Sequence, residues 1–367
     1  MIKHCYIHIP FCNKICSYCD FCKILYNEKY IDKYLDALEK EITEIYNGEE
    51  LDTIYIGGGT PSCLSTNQLE RLLSIIDKLN KSNTLEYTIE GNFDSTTKEK
   101  LLLYKKHGIN RLSLGIESLD KNNLMILERN EDKETIKSKI KQIRKLGFNN
   151  INLDLIYAIP NETLEVLEKD IDFIISLNPE HISTYSLIIE DNTKLKINNI
   201  KNIDESMDYE MYKTIIKKLK EKKYIHYEIS NFSKENKESI HNNCYWLNKE
   251  YYGFGLGASS YINNKRITNT RSITKYINGE GISIVEPLTL EDKIEYEVIL
   301  NLRLKRGINL NEFQNKYNKK LKEIYDYNEL LINNFLELDE NSLRIPEEKL
   351  YVSNVIIVKL IQNKKEI

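Results

Sequence analysis

Apolar positions recur along the first two thirds of the chain in two alternating rhythms. Short runs rich in β-branched and aromatic residues are each followed by a longer stretch in which apolar residues return every three to four positions. The first run covers residues 6–9, and the stretch at 28–46 follows it with Ile31, Tyr34, Leu35, Leu38, Ile42 and Ile45 on one helical face. The same couple returns at 53–56 with 68–79, 87–90 with 98–107 and 111–115 with 135–146. It continues at 150–157 with 164–177 and at 181–188 with 204–220. Strands separated by helices pair in parallel through right-handed crossovers. Six such units predict an α/β fold, a partial (β/α)6 TIM-like barrel, with its chemistry on loops leaving the C-terminal ends of the strands.

From about residue 273 the pattern changes to helical 290–303, a break at Gly307, helix-like 310–333 and β-like 335–345. A chain of 367 residues exceeds what one hydrophobic core usually supports. Two domains are therefore expected: 1–270 as the barrel, including the segment 226–260, and 271–367 as a small C-terminal α/β domain of winged-helix-like type.

Charged residues make up 29% and hydrophobic ones 41% of the chain, a balance that predicts a soluble globular protein. Lys and Arg total 52 against 56 Asp and Glu, so no global field recommends a nucleic-acid partner. The basic run at 137–145 reads as the solvated face of a helix. Neither a secretion signal nor a stretch of about 20 apolar residues is present. A cytoplasmic location without a transmembrane span is expected, with peripheral membrane contact left open. Five of the seven cysteines fall between Cys5 and Cys22, which suits metal ligation in a reducing compartment better than a disulfide framework.

The segment His8-Ile-Pro-Phe-Cys12-Asn-Lys-Ile-Cys16-Ser-Tyr-Cys19 places C-x3-C-x2-C directly after the first strand. Three thiolates on one short loop can hold three irons of a [4Fe–4S] cube and leave the fourth iron open for chemistry. The competing reading is a zinc knuckle completed by Cys22, Cys5 or His4. It lacks a second, separate C-x2-C knuckle of the kind zinc modules generally carry. Cys63 and Cys244 read as ordinary small buried residues.

The string Tyr6-Ile-His-Ile-Pro-Phe-Cys12 and the Tyr18-Cys19-Asp20-Phe21 finish of the loop closely resemble the coproporphyrinogen dehydrogenase and HemW group of radical S-adenosylmethionine (SAM) proteins. The likeness continues through Gly57-Gly-Gly-Thr-Pro61, Gly108-Ile-Asn-Arg-Leu-Ser-Leu-Gly-Ile-Glu117-Ser118, Asn152-Leu-Asp154-Leu-Ile-Tyr157 and His181-Ile-Ser-Thr-Tyr185. It ends with Tyr227-Glu-Ile-Ser-Asn-Phe232, His241-Asn-Asn-Cys-Tyr-Trp246 and Gly253-Phe-Gly-Leu-Gly-Ala258. The resemblance implies a barrel of the radical SAM type with a [4Fe–4S] cluster on Cys12, Cys16 and Cys19. SAM would chelate the open iron and be cleaved by one electron to a 5′-deoxyadenosyl radical. It also implies SAM contacts from Tyr6, Tyr18, Gly58, Gly59, Thr60, Glu90, Glu117, Arg129 and Asp154. The forked donors of Arg129 suit the SAM carboxylate.

Departures from the family pattern stand at Glu117, where Gln is common, at Phe93, where Pro is usual, and at Glu128 and Ala158, where Gly is common. Oxygen-independent coproporphyrinogen III oxidases carry a longer N-terminal extension and a fourth cysteine two places after the third. Here five residues precede Tyr6, and Phe21 occupies that position. Both differences favour the HemW-like, haem-chaperone branch over the oxidase. In that branch the resemblance implies haem as a further ligand, His241 as a candidate axial ligand, haem-accepting proteins as partners and a small electron donor such as flavodoxin or ferredoxin.

Overall fold

The computed structural model describes residues 1–130 and 132–365. Six parallel strands appear where alternation and apolar runs predict them: β1 (His4–Ile9), β2 (Leu51–Gly58), β3 (Lys81–Gly91), β4 (Arg111–Glu117), β5 (Ile151–Tyr157) and β6 (His181–Ser186). The helices between them are α1 (Glu28–Ile45), α2 (Thr66–Ile76), α3 (Lys98–Lys106), α4 (Lys121–Leu127), α5 (Lys133–Lys145) and α6 (Leu164–Ser176), with α7 (Glu205–Glu221) after β6. Most start at a side-chain cap, among them Asn27, Ser65, Thr97, Asp132, Thr163 and Asp204, which satisfies a helix N–H that lacks an internal partner. Strand β3 begins six residues earlier than its apolar pattern suggests. Its mostly polar first half is half-buried to exposed and carries no alternation to read.

Four shorter strands follow: β7 (Ile225–His226), β8 (Asn231–Ser233), β9 (Tyr252–Phe254) and, in a separate sheet, β10 (Ser259–Ile262). The main sheet runs β9-β1-β2-β3-β4-β5-β6-β8-β7. The sequence pattern predicts six parallel strands, and β9 is a seventh, docked parallel to β1 with Cys5 opposite Tyr252 and Ile7 opposite Phe254. Its three residues are too few to show a period. Between β8 and β9 lies α8 (Ile240–Trp246), which carries His241.

Alternation along the six strands sorts the side chains onto two faces. Ile7, Ile54, Ile89, Leu114 and Leu153 point outward into one core shared with Leu35, Leu72, Leu101, Ile143 and Ile171 of the helices. The inward positions are polar or aromatic and enclose a cavity. A barrel of this kind is a shell whose apolar packing lies between sheet and helices, with its interior free for ligands.

The antiparallel sheet of β10, β11 (Lys265–Asn269) and β12 (Ile282–Pro287) runs across residue 270. A second apolar core then starts at Ile294 on α9 (Leu290–Asn301) and ends at Leu360. The single helix expected over 310–333 is three short ones, Leu310–Tyr317, Leu321–Ile324 and Asn328–Ile332, because Asn318 takes a left-handed conformation (φ 53°) and ends the first. The β-like stretch at 335–345 forms a hairpin of Glu337–Leu338 with Ser342–Arg344. Glu347 ties this region to the barrel by accepting from His226 (3.2 Å) and Lys220, and it also accepts from Lys305 of its own unit (2.9 Å). No helix among the described residues is long and apolar enough to cross a membrane.

Ala158 and Glu128, two positions where the resemblance expects glycine, both adopt left-handed backbone, with φ of 59° and 54°. A side chain there crowds the carbonyl oxygen and costs about 1–2 kcal/mol. Ala158→Gly is therefore expected to raise stability by about 0.5–1 kcal/mol after allowing for the freer unfolded chain. Urea unfolding monitored by circular dichroism measures this, and an unchanged or lowered midpoint contradicts it.

Candidate functional site

The inward faces of the strands line a cavity of about 700 Å³. Tyr6 and His8 of β1, Tyr55 of β2 and Glu90 of β3 form one wall. Arg111 and Ser113 of β4, Asn152 and Asp154 of β5, and His181 and Tyr185 of β6 continue it. Neighbours on one strand are two residues apart, or four for His181 and Tyr185 with Ser183 between them, so a single register fixes the whole lining.

The cysteine loop leaves the C-terminal end of β1. It is closed at its base by a short parallel pairing of Phe11 with Ile24 and Cys12 with Leu25. Among the described residues no cysteine is cross-linked. Cys12, Cys16 and Cys19 lie within electrostatic range of one another, and burial followed by these neighbours pushes the Cys12 thiol up to about 11 against a bond from Thr60. Thr60 Oγ1 lies 3.6 Å from Cys12 Sγ, and Arg129 Nη1 lies 3.9 Å from Cys16 Sγ. Cys22 turns its sulfur toward Gly257, where a β-carbon would sit 2.9 Å from it, and its carbonyl accepts a bond from His8. Cys63 and Cys244 are buried apolar-type residues. Among the described residues no three His, Cys, Asp or Glu side chains converge on one point as a single ion requires. A cube carries one thiolate per iron, so its ligands stand apart.

The Gly57–Gly59 turn ends β2 beside this loop. A β-carbon on Gly57 would lie 2.7 Å from the Glu90 carboxyl, one on Gly58 would strike the His8 ring at 2.4 Å, and one on Gly59 would meet the Phe11 carbonyl at 2.8 Å and Cys12 Sγ at 2.9 Å. The turn thus brings bare backbone against both the cysteine loop and a carboxyl group. Glu90 accepts from Tyr55 OH (2.8 Å) and from the Gly58 N–H (3.0 Å). Burial raises it to about 7 despite those two bonds, and the nearby Asp154 adds to the rise.

Glu117 closes β4 in a left-handed conformation (φ 64°), with Oε1 3.9 Å from Arg129 Nη2. Arg129 also donates to Asn92 Oδ1 (3.3 Å) and the Gly115 carbonyl (3.1 Å). Tyr18 sits beside them, its hydroxyl pushed well up by burial and then by Glu117. Asp154 accepts from Asn152 Nδ2 (2.8 Å), and burial raises its carboxyl as well. Tyr6 OH donates to His8 Nδ1 at 2.9 Å, the ring proton being on Nε2 toward the Cys22 carbonyl. All the predicted SAM-type residues therefore gather at the cysteine end of the barrel or on its inner wall.

His241 lies across the cavity on α8. The helix is fastened to the barrel by Glu86 of β3, which accepts from the N–H groups of Ile240 (3.0 Å) and His241 (2.9 Å) at its open N-terminus. The imidazole is 2% exposed and stacks on Tyr55 with ring centres 5.2 Å apart. Its Nδ1 is 2.7 Å from Thr53 Oγ1, which also meets His4 Nδ1 at 3.0 Å, and its Nε2 is 2.8 Å from Tyr245 OH. Burial, then the nearby His4 and Arg111, lowers its pKa to about 3, so the ring is neutral.

Sequence reasoning gave no role to Tyr55, Arg111 and the His181 network, and took Tyr245 only as part of the His241 string. His181 bridges Asn152 Oδ1 (2.6 Å) and Tyr227 OH (2.7 Å). The signal for Tyr55 and Arg111 is the period of two: each stands at an inward position of a strand whose outward neighbours are apolar. Tyr245 offers no such signal, because its place depends on how α8 docks.

Residues 6–174 match the Radical SAM superfamily, and residues 288–351 match the HemN C-terminal domain. The chain is 37% identical to the heme chaperone HemW of Bacillus subtilis over 338 residues, covering 88% of this chain and 89% of that protein. To the HemW of Lactococcus lactis it is 35% identical, with 97% and 96% covered, and to that of Escherichia coli 30%, with 81% of each. Among solved structures, coproporphyrinogen III oxidase (HemN) from Escherichia coli superposes with a TM-score of 0.86 at 22% identity, over 97% of this chain and 89% of that one. That likeness establishes the radical SAM barrel with its HemN-type C-terminal domain as the fold. With near-full-length similarity to several of its members, the chain belongs to the HemW family of the radical SAM superfamily.

Proposed function

We propose that this protein is a haem chaperone that binds haem in the barrel cavity and passes it to acceptor proteins. Similarity along nearly the whole chain to proteins named heme chaperone HemW carries the reading. The cavity supports it with a neutral imidazole held between Thr53 and Tyr245 and stacked on Tyr55. In this reading Thr53 fixes the His241 ring from Nδ1 and leaves Nε2 for iron, with Tyr245 as the group displaced.

Cys12, Cys16 and Cys19 would hold a [4Fe–4S] cluster. Gly58, Gly59, Thr60, Tyr6, Tyr18, Glu90, Glu117, Arg129 and Asp154 would hold SAM beside it. When bound, that pair supplies one-electron chemistry. The chain's own part is positional: Arg129 presents donors next to Cys16, Glu90 offers a carboxyl whose proton can leave, and the glycine turn lets backbone approach. A small electron donor such as flavodoxin or ferredoxin would dock over the loop tip, where Asn13, Lys14 and Phe21 face solvent. We place the protein in the cytoplasm. The sheet across residue 270 and the second core from Ile294 favour a junction between the two units near 288, later than the 270/271 division drawn from sequence.

Anaerobic reconstitution followed by haem titration tests the reading on one sample. The protein is expected to take up roughly four irons and four sulfides and to bind haem stoichiometrically. Replacing Cys12, Cys16 and Cys19 by Ala abolishes the iron, while His241→Ala and, by about tenfold, Thr53→Val weaken haem binding. Zinc without iron would overturn the cluster, and conversion of coproporphyrinogen III without haem binding would favour the oxidase.

The raised Glu90 carboxyl adds a pH dependence. Its folded pKa of about 7 leaves it largely protonated below that value, and a cationic sulfonium ligand prefers the ionised form. SAM affinity is expected to rise as pH increases through about 7, and Glu90→Gln to flatten the profile. Equilibrium binding between about pH 6 and pH 8 checks this, and a flat profile in the unsubstituted protein contradicts it.

A further inference from the structure

Arg111 opens β4 on the inner face of the barrel and lines the cavity. It is one of the largest fully buried side chains, 2% exposed, and its Nε has no hydrogen-bond partner. Among the described residues no side chain or carbonyl pairs with the guanidinium. The nearby acids are engaged elsewhere: Glu90 bonds Tyr55 and Gly58, and Asp154 bonds Asn152. Thr88, opposite Arg111 in the β3–β4 register, also leaves its buried hydroxyl unpaired. A buried guanidinium with idle donors is costly to keep and ready to receive a planar anion.

Its position separates it from Arg129, the arginine proposed to take the SAM carboxylate. Arg129, the other arginine of the region, lies against Cys16 and is bonded to Asn92 and Gly115. Arg111 begins its strand, far from the strand's cysteine-side end; its charge acts on His181, Tyr227 and His241 and also reaches Glu90 and Asp154 on the shared inner wall. The charged and ionisable groups acting on Cys12 and Cys19 are instead Lys23, Asp20 and the neighbouring thiols.

We propose that Arg111 anchors a carboxylate of the tetrapyrrole that enters the cavity, gripping a propionate through its forked N–H donors on the His241 side. This rests on the haem-binding reading. A carboxylate accepts two parallel bonds from a guanidinium, which fixes the orientation of the macrocycle as well as its affinity. The methionine carboxylate of SAM shares that chemistry and is the source the test must separate.

Reconstituted protein is titrated with haem, with haem dimethyl ester, whose propionates carry no charge, and with SAM. Arg111→Gln is expected to weaken haem binding roughly tenfold or more, to leave ester binding unchanged and to leave SAM binding unchanged, with Arg111→Lys restoring part of the loss. Equal losses for haem and ester, no loss for haem, or a loss confined to SAM each overturn the inference. Should Arg111→Gln fail to hold its cluster, the unsubstituted protein decides alone: it must bind haem at least about tenfold tighter than the ester, and equal affinities overturn the anchor. If the unsubstituted protein binds neither tetrapyrrole, the haem-chaperone reading falls and takes the anchor with it.

Discussion

The separation of faces on six parallel strands governs this molecule. Outward Ile7, Ile54, Ile89, Leu114 and Leu153 meet the helices and supply the packing energy, so the inward positions are released from stabilising the fold. Those positions hold Tyr6, Glu90, Arg111, Asp154 and His181 instead. A slip of one residue in any strand would send a carboxyl or guanidinium into the apolar layer and an isoleucine into the cavity. Register and chemistry are therefore the same constraint.

Burial then sets the electrostatic character of the lining. Removing water raises the Glu90 and Asp154 carboxyls and lowers the His181 and His241 imidazoles. Each change disfavours charge where solvent is scarce. Hydrogen bonds from Tyr55, Gly58 and Asn152 oppose the rise at the acids without cancelling it. The result is a wall of polar groups that respond to an incoming charged ligand, with the cysteine loop at one end and an aromatic-flanked histidine at the other.

The second end is assembled from far along the chain. Glu86 of β3 fastens the first turn of α8, Thr53 of β2 fixes the His241 ring, and β9 docks beside β1. Gly253 lets β10 lie close against β9, since a β-carbon there would lie 1.9 Å from the Ser259 carbonyl. Residues separated by up to about two hundred positions thus meet around one imidazole, and the barrel strands act as the template on which they meet.

The sequence by itself determined the alternation of six strands with their helices, the cysteine loop after the first strand, and the motif positions at the strand ends. These are local facts, written in a period of two or 3.6 or in the spacing of three cysteines, and a short window suffices to read them. Only the tertiary structure decided that β9 joins β1 out of order, that the stretch at 310–333 breaks at Asn318, that Cys22 packs against Gly257, and that both His241 nitrogens have partners. Those outcomes depend on contacts between segments distant in sequence and on backbone angles of single residues, and neither leaves a periodic trace along the chain.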